Sequence, residues 1–222
     1  MLGKYRLTLL TPITQLVLVP LIALTISLPC VAGNAQSPNA PIILIMGDSL
    51  SAGFGIKISE DWASLLEQRL VSENLPYRVV NASISGETTN GGLSRLTQAL
   101  KTHRPKIVIL ELGANDGLRG LPLYLMRNNL SLMIEQCQQA NTRVLLLGMR
   151  LPPNYGPRYN HDFSQIFAEL AAEYETGLVP FFLAGVATQP ELMQSDGLHP
   201  TAAAQAQLLE TIWPQLLPLL KN

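Results

Sequence analysis

Apolar positions follow two different patterns along the chain. Short continuous runs rich in Ile, Val and Leu are typical of strands buried in a parallel sheet. Longer segments place apolar residues every three or four positions, as on one face of a helix. The continuous runs predict five strands, at residues 41–46, 77–81, 106–111, 143–148 and 178–181. The helical pattern is found around residues 60–72, 92–103, 122–140, 163–174 and 201–220.

The regular alternation of strand and helix predicts the fold class. Each strand is followed by a helical segment, which is typical of an α/β protein whose parallel sheet is covered on both faces. The natural topology is a three-layer α/β/α sandwich with a five-stranded parallel, flavodoxin-like sheet. Such sheets bind ligands at the carboxyl ends of their strands, so we expect the functional residues in the loops that follow the strands.

The N-terminal segment has a different composition from the rest of the chain. Lys4 and Arg6 precede a largely apolar run at residues 7–28, which small residues follow. A positive start, an apolar middle and a small-residue end are typical of a secretory signal peptide. We therefore predict a signal peptide at residues 1–35 and a single domain at residues 36–222, located in the periplasm or secreted. An uncleaved membrane anchor is the alternative, because the apolar run is almost long enough to span a bilayer.

Charge and cysteine content bear on the class of ligand and on what stabilises the fold. The formal net charge is −1, which gives no electrostatic argument for nucleic-acid binding, since such surfaces are strongly basic. Cys30 would be removed with the signal peptide, leaving Cys137 alone in the mature chain. A lone cysteine cannot form an internal disulfide, so stability must come from the apolar core.

A serine between glycines follows the first predicted strand, in the segment Met-Gly-Asp-Ser-Leu-Ser-Ala-Gly at residues 46–53. This position is where an open α/β sheet places its binding crevice. We interpret Ser49 as a catalytic nucleophile. The alternative is that Ser49 only caps the next helix, a common role for serine at such junctions.

A serine nucleophile needs a base and a group that orients the base. Of the three histidines, His103 lies at a cationic helix end and His161 at the start of a helix, which are both typical of surface positions. His199 follows Asp196 by three residues, a spacing that lets the carboxylate reach the imidazole and fix its tautomer. We interpret this pair as base and orienting group, with a simple turn before Pro200 as the alternative.

Two further loops contain candidate donors for a tetrahedral oxyanion. Residues 81–88 follow the second strand and include Gly86, whose backbone N–H can approach a substrate closely. Residues 112–117 follow the third strand and include Asn115, which has a side-chain amide. Glycine and asparagine are also common in ordinary turns. Because both loops lie at the same sheet edge as Ser49, we favour a shared site.

Four blocks, in this order, resemble the SGNH (GDSL) hydrolase family: residues 47–50, Gly86, residues 113–116 and residues 196–199. The resemblance covers nearly the whole mature chain and is strongest to the bacterial periplasmic acyl-CoA thioesterase, lysophospholipase and arylesterase branch. The Gly-x-Ser-x-Gly motif of α/β-hydrolases is absent, so that fold matches less well.

The resemblance implies a role for each matched residue. Ser49 would be the nucleophile, with Asp196 and His199 completing a catalytic triad. The oxyanion hole would consist of the backbone N–H groups of Ser49 and Gly86 and the side chain of Asn115. These roles imply a secreted serine esterase that hydrolyses acyl esters and thioesters through an acyl-enzyme.

The proline-rich loop at residues 151–157 is a candidate for substrate binding. In the resembled branch the corresponding loop lines the acyl-chain groove, which implies substrate-binding roles for Leu151, Pro152 and Tyr155. The alternative is a rigid connector, since prolines stiffen loops.

The same resemblance sets expectations for partners. The substrate would be a small-molecule acyl ester, acyl thioester or lysophospholipid, and no metal, cofactor, nucleic acid or obligate protein partner is expected for a monomeric enzyme of this kind.

Asp48 and Asp116 are expected to be structural, accepting backbone N–H bonds beside the site. A carbohydrate O-deacetylase of the same superfamily and a catalytically silent surface-binding module are the competing hypotheses.

Overall fold

The computed structural model describes residues 2–3 and 39–221. The predicted signal peptide at residues 1–35 lies outside the described residues apart from Leu2 and Gly3. The chain divides into the units Met1–Gly33 and Asn34–Asn222, and every element below belongs to the second unit. Within the described part of the chain, no helix combines the length and apolarity needed to cross a membrane.

Five parallel strands form one sheet in the order β2-β1-β3-β4-β5, which confirms the predicted α/β fold with a flavodoxin-like sheet. The strands are β1 (Ile42–Gly47), β2 (Arg78–Asn81), β3 (Ile107–Glu111), β4 (Arg143–Leu147) and β5 (Gly177–Val179). In register, Ile45 of β1 pairs with both Asn81 of β2 and Ile109 of β3. The first three strands therefore end side by side, and the loops that leave them meet.

Helices cover the sheet in two groups. They are α1 (Trp62–Ser72), α2 (Thr89–His103), α3 (Ala114–Leu118), α4 (Leu123–Gln139), α5 (Pro157–Glu173) and α6 (Gln205–Lys221). The first group is α1 packed on α6, and the second is α4 packed between α2 and α5. Five of the six residues of β1 and all five residues of β3 are buried between these layers; Ile42 of β1 is half-buried. A continuous apolar run predicts this burial.

Two segments near the site differ from their predicted structure. The α2 helix begins at Thr89 rather than near residue 92, because the Thr88 side chain accepts the Gly91 N–H and caps it. The glycine-rich segment after β3 forms the short helix α3 instead of an open loop. It begins after Gly113, whose φ of 118° is accessible mainly to glycine.

The core explains why the domain needs no disulfide. Trp62 of α1 meets Phe182 edge to face, with ring centroids 5.8 Å apart, and both side chains are fully buried. Cys137 is a free, buried thiol in α4, and burial raises its pKa to about 12. At neutral pH it is therefore a small apolar core residue rather than a reactive thiolate.

Candidate active site

The loop that carries Ser49 turns sharply at the end of β1. A Cβ on Gly47 would lie 2.8 Å from a Glu111 carboxylate oxygen, so glycine is needed there. The Asp48 carbonyl accepts the Ala52 N–H at 2.9 Å, and the Asp48 carboxylate accepts the Leu50 N–H at 3.0 Å. These bonds close a tight turn around the half-buried Ser49.

The helix-capping alternative for Ser49 is wrong. The N-cap of α1 is Asp61, whose side chain accepts the Ser64 N–H at 2.6 Å. The Ser49 hydroxyl points instead at the ring of His199.

Ser49, His199 and Asp196 form a continuous hydrogen-bonded chain. His199 Nε2 lies 2.9 Å from Ser49 Oγ, and His199 Nδ1 lies 2.7 Å from Asp196 Oδ2. The other Asp196 oxygen accepts the backbone N–H groups of Leu198 and His199 at 2.9 and 3.0 Å. The hydrogen bond from His199, followed by these backbone bonds, lowers the pKa of Asp196 to about 2. The carboxylate therefore stays ionised at neutral pH and fixes the orientation of the imidazole.

The His199 loop is tied to the nucleophile loop by contacts that the sequence did not reveal. The Phe54 ring lies over the His199 ring with centroids 4.4 Å apart. The Gln194 side-chain amide donates to the Phe54 carbonyl at 2.7 Å, and the Gln194 backbone N–H donates to the His199 carbonyl at 2.7 Å. Gln194 thus links the two loops whose side chains must meet.

Gly86 and Asn115, the predicted oxyanion donors outside the Ser49 loop, line the same cavity as Ser49. The loop after β2 crosses the end of β1, where the Ile84 N–H donates to the Gly47 carbonyl at 3.0 Å, and Gly86 follows with φ 79°. The side-chain nitrogen of Asn115, in α3, donates to the Asp48 carboxylate at 3.0 Å. Since this nitrogen carries two hydrogens, one remains for a second acceptor.

A pair of buried carboxyl groups lies behind the nucleophile loop. Glu111, the last residue of β3, is 0% exposed, and its Oε2 accepts the Asp48 N–H at 3.2 Å and the Ser51 hydroxyl at 2.8 Å. Burial, together with the neighbouring Asp48 carboxyl, raises the pKa of Glu111 well above its usual range. Burial also raises the pKa of Asp48, to about 6, against the opposing effect of its hydrogen bonds. Two neighbouring carboxylates are costly at this buried position, so the pair favours one negative charge over two.

Asp116 has the structural role expected of it. Its carboxylate accepts the backbone N–H of Thr89 at 2.9 Å and the Thr89 hydroxyl at 2.6 Å. This contact joins the start of α2 to α3 and so fixes Asn115, the residue that precedes Asp116 in the chain.

A cavity of about 660 Å³ opens beside Ser49 and His199. Its apolar wall includes Leu118, Met149, Leu151, Pro152, Phe181 and Leu183. Leu151 and Pro152 thus line the cavity. Tyr155 does not: its hydroxyl donates to the Leu118 carbonyl at 2.8 Å, so it supports the wall from behind.

The other two histidines of the sequence lie outside this cavity. His103 ends α2 and His161 lies in α5, and neither lines the cavity. Within the residues that the structure describes, no group of three or more His, Cys, Asp or Glu side chains is arranged to hold a metal ion. The site itself combines a hydroxyl bonded to an imidazole with hydrogen-bond donors and an apolar cavity beside it.

The chain is similar to known proteins over most of its length. Residues 45–207 match the model of the GDSL-like lipase/acylhydrolase family. The chain is 50% identical over 185 residues to "Esterase TesA" of Pseudomonas aeruginosa, which covers 83% of this chain and 92% of that protein. It is 44% identical over 183 residues to "Thioesterase 1/protease 1/lysophospholipase L1" of Escherichia coli strain K12, covering 82% of this chain and 86% of that protein.

Solved structures show the same similarity. A crystal structure of TesA superposes with a TM-score of 0.79 at 50% identity, covering 80% of this chain and 99% of that one. The psychrotrophic esterase EstA from Pseudoalteromonas sp., inhibited by monoethylphosphonate, gives a TM-score of 0.78 at 40% identity, covering 82% and 99%. The resemblance predicted from four short sequence blocks is thus confirmed, and the chain belongs to the GDSL-like lipase/acylhydrolase family.

Proposed function

We propose that this hydrolase cleaves acyl esters and thioesters through a covalent acyl-enzyme on Ser49. The observation that carries the proposal is the unbroken chain of hydrogen bonds from Asp196 through His199 to Ser49, beside an apolar cavity. A hydroxyl is a weak nucleophile by itself, and an oriented imidazole within hydrogen-bond distance activates it.

In the first half of the reaction, Ser49 Oγ attacks the acyl carbonyl carbon while His199 Nε2 takes the hydroxyl proton. The carbonyl π electrons move to oxygen, and the oxyanion accepts hydrogen bonds from the Ser49 and Gly86 N–H groups and the Asn115 side chain. The ionised Asp196 stabilises the imidazolium. Collapse breaks the bond to the alcohol or thiol, which leaves with the proton from His199.

In the second half, a water molecule replaces the alcohol or thiol. His199 takes a proton from the water as its oxygen attacks the acyl-enzyme carbonyl, and then returns a proton to Ser49 Oγ as the acid leaves. The residues present supply every proton and charge in this cycle, so the proposal needs no metal or organic cofactor.

The substrates that we propose are small-molecule acyl esters, acyl thioesters and lysophospholipids. Two features support them: the names of the relatives, which include an esterase and a thioesterase/lysophospholipase, and the apolar wall of the cavity. We also propose that residues 1–35 are a signal peptide, that residues 36–222 form the mature domain, and that this domain works as a monomer in the periplasm.

A panel of three substrates tests the proposed function: decanoyl-CoA, decanoyl-lysophosphatidylcholine and an acetylated xylo-oligosaccharide. We expect turnover of the two decanoyl substrates and weak or no turnover of the acetylated sugar. A preference for the sugar would replace the proposal by carbohydrate O-deacetylation. No turnover, together with no labelling by a fluorophosphonate probe, would leave the silent binding module.

Acyl-chain preference gives a sharper prediction at Leu151, a buried residue of the cavity wall. We expect Leu151→Ala to lower kcat/KM for p-nitrophenyl decanoate by about tenfold, since each buried CH₂ contributes about 0.8 kcal/mol. Activity on p-nitrophenyl acetate should change less than twofold, because a short acyl group does not reach this wall.

The matched control is Leu132→Ala, which makes the same change at an exposed residue of α4. It should leave the ratio of decanoate to acetate activity unchanged. Equal losses on the acetate and the decanoate in Leu151→Ala would contradict an acyl-binding role for this wall. Tyr155→Phe removes the bond to the Leu118 carbonyl and should also act on the long ester more than on the short one.

A further inference from the structure

Glu111 is a fully buried acidic residue that takes no part in the steps of the proposed mechanism. Its Oε2 accepts hydrogen bonds from the residues on both sides of Ser49, namely the Asp48 N–H and the Ser51 hydroxyl. Its other oxygen, Oε1, is buried and has no hydrogen-bond partner among the described residues. An ionised carboxylate with one oxygen unpaired in the protein interior costs more free energy to bury than a neutral carboxylic acid in the same position.

Asp48 connects Glu111 to the oxyanion hole. The Asp48 and Glu111 carboxyl groups interact with each other, so ionising both of them in a buried site costs free energy. The Asp48 carboxylate also accepts the Leu50 N–H and the Asn115 side-chain amide, both at 3.0 Å. Asp48 is thus held by Glu111 through its backbone and holds Asn115 through its side chain.

We propose that Glu111 is a positioning residue that works as a protonated acid, paired with the Asp48 carboxylate, and that it aligns the Ser49 loop with the Asn115 amide. The inference rests on the proposed role of Ser49 as nucleophile. A displacement of about 1 Å at a reacting group can lower the rate by 10²-fold, so a residue that fixes both parts of the site has a large effect without touching substrate.

Two substitutions separate positioning from simple packing. Glu111→Gln is neutral and keeps a carbonyl acceptor for the Asp48 and Ser51 donors. It should keep kcat for p-nitrophenyl acetate within about fivefold of the wild type. Glu111→Leu fills the space without an acceptor and should lower kcat by about 10²-fold with KM within twofold, as expected for a misplaced nucleophile. Wild-type kcat in a folded Glu111→Leu variant would overturn the proposal.

The protonation state has its own measurement, which needs only the isosteric variant. The infrared difference spectrum of the wild type minus Glu111→Gln at neutral pH should show the carbonyl band of a protonated carboxylic acid. Glu60→Gln, which changes a side chain 42% exposed and paired with Lys57, should show no such band. Absence of the band from the Glu111→Gln difference would overturn the proposal. This result does not depend on turnover, so failure of the proposed esterase function remains distinguishable.

A second, independent observation concerns Arg150, just after β4. This exposed side chain lines the same cavity as Ser49 and His199, and its guanidinium carbon lies 5.0 Å from the centroid of the Phe181 ring. Among the described residues it has no carboxylate partner, unlike Arg95, which pairs with Glu87. The substrate cavity therefore presents an unneutralised cation beside a mostly apolar wall.

We infer that Arg150 binds the phosphate of an acyl-glycerophosphate substrate; the inference rests on the proposed function and assigns a residue to the head group of the lysophospholipids named there. A guanidinium matches two phosphate oxygens at once. Three carbons separate the ester oxygen from phosphate in a lysophospholipid, whereas the long pantetheine arm separates the thioester from the phosphates in an acyl-CoA. The short spacing fits a cation that shares one cavity with the nucleophile.

Chain-matched substrates test this inference. In Arg150→Gln, kcat/KM for 1-decanoyl-glycerol-3-phosphate should fall about tenfold, the equivalent of 1.4 kcal/mol, while kcat/KM for 1-decanoyl-glycerol changes less than twofold. Decanoyl-CoA and the neutral decanoyl-N-acetylcysteamine thioester form the second pair, and neither should change. The control is Lys101→Gln, which removes one charge at an exposed position near the end of α2.

The four substrates together show whether Arg150 binds a phosphate and, if so, which phosphate it binds. A loss confined to decanoyl-CoA would assign Arg150 to coenzyme A and overturn the lipid assignment. Equal losses on the neutral and the phosphorylated glycerol esters, or no loss on either, would overturn the inference itself. If the wild type hydrolysed none of the four substrates, the proposed function would fail first.

Discussion

Ser49→Ala should reduce the hydrolysis of p-nitrophenyl butyrate by at least about 10⁴-fold in kcat, because Ser49 supplies the one hydroxyl bonded to His199 Nε2 among the residues that the structure describes. The same variant should not be labelled by a fluorophosphonate probe, since the probe needs the nucleophilic oxygen to form its covalent bond. The fold should persist, because the substitution removes one hydroxyl from a half-buried loop residue.

The control for this prediction is Ser94→Ala, which removes an exposed hydroxyl on α2 that bonds only to the Gly91 carbonyl. It should retain the activity and labelling of the wild type. Circular dichroism should show that both variants are folded. Wild-type turnover or labelling in Ser49→Ala would refute the nucleophile assignment and, with it, the proposed acyl-enzyme.

The strands could be predicted from the sequence because burial on both faces of a parallel sheet leaves a continuous apolar run. β3 was expected at residues 106–111 and is found at Ile107–Glu111. The short helix α3 could not be predicted. Glycines at positions 113 and 117 flank an Ala-Asn-Asp segment, a composition that also fits a turn. The Thr89 N–H and hydroxyl donate to Asp116 across 27 residues of sequence, so no local pattern contains this contact.

The site shows the same division between local and long-range information. Ser49, Gly86 and Asn115 could be placed together from the sequence, because each follows a strand of one parallel sheet. Glu111 could not be recognised, since a charged residue at the end of an apolar run looks like the end of the strand. Its two bonds to the nucleophile loop span 63 and 60 residues of sequence, so no local pattern contains them.

Of the three loop residues predicted to bind substrate, Leu151 and Pro152 line the cavity and Tyr155 does not, for a similar reason. Leu151, Pro152 and Tyr155 belong to one proline-rich loop, and a resemblance to a family treats such a loop as a unit. In the structure, Asn160 pins the loop through bonds to the Leu151 N–H and carbonyl, which aims Leu151 into the cavity and Tyr155 behind it. Which face of a short loop meets the substrate depends on these contacts and not on its composition.

Asn115→Ala should lower kcat by about 10²–10³-fold and leave KM nearly unchanged, the usual effect of losing one oxyanion donor. One hydrogen of the Asn115 side-chain amide is used by the Asp48 carboxylate, so the amide is already oriented before substrate arrives. The other hydrogen is available for the negative charge that develops on the carbonyl oxygen. The interaction strengthens as the tetrahedral intermediate forms, which is why the loss appears in kcat rather than in KM.

Two comparisons show whether this loss is specific to the oxyanion. Asn128→Ala makes the same change at an exposed position of α4 and should keep wild-type kcat. Fluorophosphonate labelling of Asn115→Ala should slow along with turnover, because the phosphoryl oxygen of the probe occupies the position of the acyl oxyanion. If kcat were unchanged, Asn115 would not be an oxyanion donor. If KM rose while kcat held, its contribution would be to ground-state binding, and the oriented bond to Asp48 would serve the loop rather than the chemistry.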